Sequence, residues 1–178
     1  MGRLKWWLIG AGAVCIALVA ALCVGAWNEI SSEWQVEQAA AQYALNHSPI
    51  DHIQGHDVFT GAGTEEVFYG QDAFGHDWYA FVDGSPFSIQ IQSASGILSA
   101  AKVQKAALAN QVKPISEHIG YLNQAAASSF SAKAGPVWEI YGTTPSGKHV
   151  YLYVNARTGK QLWKYVLQQN ATAGGILN

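Results

Sequence analysis

The sequence predicts an α+β protein: an apolar N-terminal helix, then two tandem modules, each with one helix and about four antiparallel strands. Three observations carry this. Residues 6–27 hold no charge. After them a helix-like segment is followed by short extended segments separated by turn residues, and that order then repeats. The ionisable residues divide where the repeat begins. Residues 28–99 contain ten carboxylates and no Lys or Arg, and residues 100–178 contain eight bases and two acids.

The run from Trp6 to Trp27 spans roughly 33 Å as a helix, against a hydrocarbon core of about 30 Å. Trp6, Trp7 and Trp27 sit at its ends, where amphipathic rings favour the headgroup level. Arg3 and Lys5 precede it, which orients residues 1–5 to the cytoplasm and the rest outward. The expectation is a single-pass cell-membrane protein with an uncleaved anchor over 6–27. A cleaved signal peptide is the rival, with Val24 and Ala26 as small residues before a cut, but the apolar stretch exceeds the usual signal core. Cys15 and Cys23 lie inside this run, so the outer portion must hold together by packing, without a disulfide.

The first module is expected over 28–94. Ser32-Glu33-Trp34-Gln35 has capping-box spacing, and Val36, Ala39, Ala40, Tyr43 and Ala44 recur at helical intervals. Pro49 ends the helix by His47. Extended segments follow around Ile53–Thr60, Glu65–Gly70, Asp77–Val82 and Pro86–Gln92. In the last, Phe87, Ile89 and Ile91 alternate with polar residues, the mark of a strand with one buried face. Gly75 and Gly84-Ser85 sit at hairpin turns.

The second module is expected over 95–168, with a flexible tail over 169–178. A helix over Ala100–Asn110 places Val103, Ala106, Ala107 and Asn110 on one face. Strands are expected from Pro114 to Leu122 and over Val137–Thr143, Lys148–Asn155 and Lys160–Leu167. Asn123 to Gly135, rich in Ala and Ser, fits a loop or a short helix.

Val137-Trp138-Glu139-Ile140-Tyr141, Tyr151-Leu152-Tyr153-Val154-Asn155 and Thr158-Gly159-Lys160 resemble the closing hairpins of PepSY-like (cystatin-like) modules. Behind a single anchor, and with Phe68-Tyr69-Gly70 and Tyr79-Ala80-Phe81-Val82 in the first unit, the chain resembles the TseB/YpmB family of bacterial cell-wall elongation regulators. Asn155 stands where that family usually has Asp. The resemblance implies regulation of peptidoglycan synthesis by contact with a penicillin-binding transpeptidase. A protease-inhibitory or peptidase-regulating module of the PepSY type is the alternative.

Several residues invite a site reading. Asn155 to Gly159 reads as a tight turn, with Asn155 bonding backbone and Gly159 at positive φ. Tyr151 and Tyr153 share one strand face, as do Trp138 and Ile140; one set must pack on the helix, and the other forms a cross-strand ladder. Tyr151, Tyr153, Arg157, Lys160 and Lys164 are therefore the candidate interaction surface, facing an acidic partner or anionic wall polymers. His47, Asp51, His52, His56, Asp57 and His76-Asp77 carry metal-binding groups, but their spacing fits no standard ligand set, and a solvated polar edge is expected. No thiol lies outside the apolar run, and no Gly-x-Ser-x-Gly elbow or His-Glu-x-x-His helix occurs. The reading is an anchored, extracytoplasmic, non-catalytic interaction protein with no cofactor, metal or nucleic-acid partner.

Overall fold

The computed structural model describes residues 18–22, 25 and 34–168. Most of the expected anchor, Ser32 and Glu33 of the capping box, and the tail over 169–178 lie outside the described residues. Among those described, no helix is long and apolar enough to cross a membrane.

Helix α1 covers 34–47 and stops where Pro49 requires. Strands β1 (His52–Phe59), β2 (Glu65–Gln71), β3 (Asp77–Asp83) and β4 (Ser88–Ser93) form an antiparallel sheet in sequence order. Helix α2 (Ala100–Ala109) and strand β5 (Lys113–Leu122) follow, then a short helix α3 (Gln124–Ser129). Strands β6 (Gly135–Thr143), β7 (His149–Asn155) and β8 (Gln161–Val166) complete a second four-stranded sheet, ordered β5-β6-β7-β8. Strand β4 begins two residues later than expected, because Gly84, at φ 80°, opens a turn that runs through Phe87. The Ala/Ser-rich segment resolves into α3, whose N-cap Asn123 accepts a hydrogen bond from the Ala126 N–H at 2.9 Å.

The repetition reaches into detail. Strand β1 has a register shift between Ile53 and Gly55, and β5 has one between Pro114 and Ser116. Gly70 pairs with Ile53 and Trp78, and Gly142 pairs with Pro114 and Val150. Both glycines exist for the same reason. A Cβ on Gly70 would strike the His52 carbonyl and Ile50, and one on Gly142 would strike the Lys113 carbonyl and Val112. In each module the segment entering the first strand crosses directly over a glycine that follows an aromatic residue near the end of the second strand, and only a bare Cα leaves room.

Strand alternation decides what each sheet buries. In β7, Val150, Leu152 and Val154 are fully buried and share a core with Val103 and Ala107 of α2 and with Trp138 and Ile140 of β6. The Trp138 indole N–H reaches the Leu98 carbonyl at 3.2 Å, satisfying its polar edge. In the first module Ala44, Ile50, Phe68, Ala80 and Val82 are buried, and the Tyr43 ring packs on Phe87 with centroids 5.5 Å apart.

Both sheets belong to one unit that begins at Gln42, and their join is tight. Phe59, Val67 and Phe81 of the first module lie in the same core as the second. The Phe59 ring covers Gly120 so closely that a Cβ there would collide with it. The Tyr121 N–H donates to Glu65 Oε2 at 2.8 Å. His118 Nδ1 stands 2.9 Å from Asp57 Oδ1.

Candidate interaction surface

The face of the second sheet turned away from α2 carries a row of rings. Because β7 sends Val150, Leu152 and Val154 to the helix, Tyr151 and Tyr153 point the other way, beside Tyr141 and Glu139 of β6 and Tyr165 and Trp163 of β8. The Tyr141 ring stacks on His149 at 5.4 Å, with its hydroxyl 2.6 Å from His149 Nδ1, and meets Tyr151 at 5.1 Å. Trp163 lies 5.9 Å from Tyr153 and stacks on Tyr165 at 5.7 Å. Trp163 and Tyr165 are 45% and 47% exposed, and Tyr141 and Tyr151 are half-buried. Such amphipathic rings supply contact area at small conformational cost.

Tyr153 does not belong to this surface. It is 6% exposed, because Phe130, just past α3, packs on it at 5.2 Å, and Gly61 of the first module lies so close that a Cβ would meet its ring. Its hydroxyl donates to Glu139 Oε2 at 2.5 Å. Burial, and then the Glu139 carboxylate, push the Tyr153 pKa far up, so the phenol remains a donor at every working pH. Trp138 and Ile140 are the set that packs on the helix.

The three basic residues occupy three different settings. Arg157 reaches across the join, with an Nη2 donor 2.7 Å from Gln92 Oε1. Lys164 faces the helix side, and its Nζ donates to the Asn110 carbonyl at the end of α2, at 2.8 Å. This is the favoured place for a cation at a helix C-terminus. Lys160 is exposed on the β7–β8 turn. That turn has the form expected: Asn155 Oδ1 accepts from the N–H groups of Arg157 and Thr158, each at 3.0 Å, and Gly159 takes φ 70°.

Residues 97–162 match the family model for PepSY, the peptidase propeptide and YPEB domain. The second module is a PepSY domain. The structure of the YpmB protein from Bacillus subtilis superposes with a TM-score of 0.59 at 20% sequence identity, covering 73% of this chain and 96% of that one. At that identity the likeness is one of fold. The family match marks residues 97–162 as PepSY-like, and the superposition shows a YpmB-like fold. No curated protein matches the chain by sequence.

Outside the aromatic face of the PepSY domain, the polar clusters have structural roles. Among the described residues no group of three or more His, Cys, Asp or Glu side chains could hold a metal ion. His56 pairs with Glu66 at 2.6 Å, His76 with Asp72 at 3.0 Å, and His47 Nδ1 lies 2.9 Å from the Tyr43 carbonyl.

Two carboxylates are buried with no signal of it in the sequence. Glu139 faces Tyr153 of the PepSY domain, and Glu65 lies at its join to the first module, each 6% exposed. Burial, opposed by the Tyr121 hydrogen bond and reinforced by the Asp83 charge, pushes the Glu65 pKa up to about 8. A shifted carboxyl in a cleft is a catalytic signature. Here the adjoining cavity, lined by Phe59, Thr64, Asp83, Tyr121 and Asn123, is about 20 Å³, room for a water and not a substrate. Glu65 accepts the Tyr121 N–H across the join between the modules.

Proposed function

We propose that this protein acts by binding: a membrane-anchored, extracytoplasmic module that regulates peptidoglycan synthesis through contact with a penicillin-binding transpeptidase. The observation that carries the binding role is the partly exposed ring row Tyr141, Tyr151, Trp163 and Tyr165 on the PepSY domain. The cell-wall role and the transpeptidase rest on the TseB/YpmB resemblance, and the anchor on the uncharged run 6–27. Exposed Lys160 at the end of the same hairpin suits an acidic rim or an anionic wall polymer.

The test is a binding titration of the full chain, reconstituted in lipid nanodiscs, against the purified transpeptidase. Replacing Trp163 and Tyr165 together with Ala should weaken association at least tenfold, the loss typical of a central aromatic pair. Unchanged affinity in a folded variant would remove this face from the reading. A reporter active only outside the cytoplasm, fused after Asn178, checks topology.

A second reading has one specific support: the matching family is described by peptidase propeptides. Under it the same face would cover a peptidase and slow it. Inhibition of a co-expressed secreted peptidase, with no transpeptidase binding, would favour that reading.

A further inference from the structure

The β2–β3 hairpin ends in a turn shaped by one carboxylate. Asp72 Oδ1 accepts from the N–H groups of Phe74 and His76, both at 2.9 Å. Its Oδ2 accepts from the Trp78 indole N–H at 3.1 Å and lies 3.0 Å from His76 Nδ1. Two backbone bonds at 3.0 Å close the same loop, from the Gly75 N–H to the Asp72 carbonyl and from the Asp72 N–H to the His76 carbonyl. Gly75 supplies the φ of 81° that the turn requires. Desolvation pushes the Asp72 pKa up, but the bonds from His76, Trp78 and Phe74 outweigh it and hold the carboxyl well below the usual range. The turn is therefore fixed and anionic at neutral pH.

This frame displays Phe74, 86% exposed, with the His76 ring 6.4 Å away. Single exposed apolar side chains are ordinary on protein surfaces. Turn tips, however, favour Gly, Pro, Asn, Asp and Ser, and a Phe held clear of its own protein by six hydrogen bonds is a different object. The backbone that carries it is set in the free molecule, so the ring's own rotamer is the main freedom left to order when it enters a pocket. Aromatic anchors of this kind carry a large share of the energy in protein interfaces.

Charge selects the partner. Residues 28–99 carry ten carboxylates and no Lys or Arg, and Asp72 and Asp77 bracket Phe74 in sequence. An anionic bilayer repels such a tip. A basic-rimmed protein pocket attracts it, and the attraction also speeds encounter. We infer that the β2–β3 tip is a preformed docking knob for another protein, with Phe74 seated in an apolar pocket whose rim carries Lys or Arg side chains. The knob lies in the first module, outside the PepSY domain, and does not depend on the function proposed above.

The experiment places a photocrosslinker in the full-length protein in living cells, as Phe74→p-benzoylphenylalanine, with the same residue replacing Ser146 on the β6–β7 turn for comparison. The expected result is a protein adduct at position 74 that is absent at 146, with the crosslink mapping to an apolar pocket flanked by Lys or Arg. With the captured protein purified, Phe74→Ala should weaken binding at least tenfold. Asp72→Asn, which keeps the ring but removes the charge that orders the turn, should weaken it severalfold. Phe74 is exposed whereas the Asp72 side chain is only 12% so, and circular dichroism with thermal melts checks that both variants fold. Adducts with lipid alone, equal protein adducts at 74 and 146, a mapped site without basic residues, or unaltered affinity of Phe74→Ala would each overturn the inference. Should the captured protein be something other than a transpeptidase, this inference stands, and the function proposed above is decided separately by the Trp163 and Tyr165 titration.

Discussion

Replacing Glu65 with Gln should stabilise the protein by an amount that grows with pH. Glu65 is 6% exposed at the join between the modules, and its pKa stands near 8 against an ordinary 4.5, chiefly through burial. A group whose folded-state pKa is raised contributes fully below its unfolded value, and that contribution is lost as pH rises through the folded value. Between pH 4.5 and 8 the native state therefore loses stability progressively, and above pH 8 the loss is complete. Each pH unit in that window corresponds to about 1.4 kcal/mol, so the full loss is on the order of 5 kcal/mol. Gln keeps the size of Glu, its carbonyl can accept the Tyr121 N–H, and its amide can donate toward Asp83. It has no proton to lose. Urea unfolding followed by tryptophan fluorescence should give similar midpoints for parent and variant near pH 4.5. At pH 8 the variant should lead by a few kcal/mol, with unchanged m-value. A difference that stays constant from pH 5 to pH 8 would refute the reasoning, because it would mean Glu65 gives up its proton as readily folded as unfolded.

Tyr153→Phe removes the hydroxyl that donates to Glu139 and leaves that buried carboxylate one donor short. The expected loss is about 1–3 kcal/mol, and adding Glu139→Gln should recover part of it in thermal melts. Lys164→Glu sets an anion against the last carbonyls of α2 and should cost about 1 kcal/mol, whereas Lys160→Glu on the exposed turn should stay within about 0.5 kcal/mol. Equal effects would show that the bond from Lys164 to the Asn110 carbonyl is not made in solution.

The expected strands match those observed to within one or two residues at most ends, and α1 stops where Pro49 demands. These features rest on short-range rules: the period of apolar residues, the turn-forming glycines, and the geometry a proline imposes on the residue before it. The tandem organisation was equally legible, since each module writes its helix and four strands in the same order.

What could not be read was where each side chain would end up once two modules had met. Tyr151 and Tyr153 look alike in the sequence, two residues apart on one face. Only the packing of Phe130 and the approach of Gly61 bury the second and leave the first at the surface. Arg157, Lys160 and Lys164 are close in sequence yet serve the module join, the open turn and a helix end. Nothing in the sequence marks Glu65 and Glu139 as buried, and their burial depends on residues such as Tyr121 at the join and Tyr153 across the sheet. Periodicity reports which face of a strand is apolar, a property of neighbours along the chain. Which apolar or charged group is finally covered depends on contacts between residues as far apart as Asp57 and His118, and those exist only in the folded molecule.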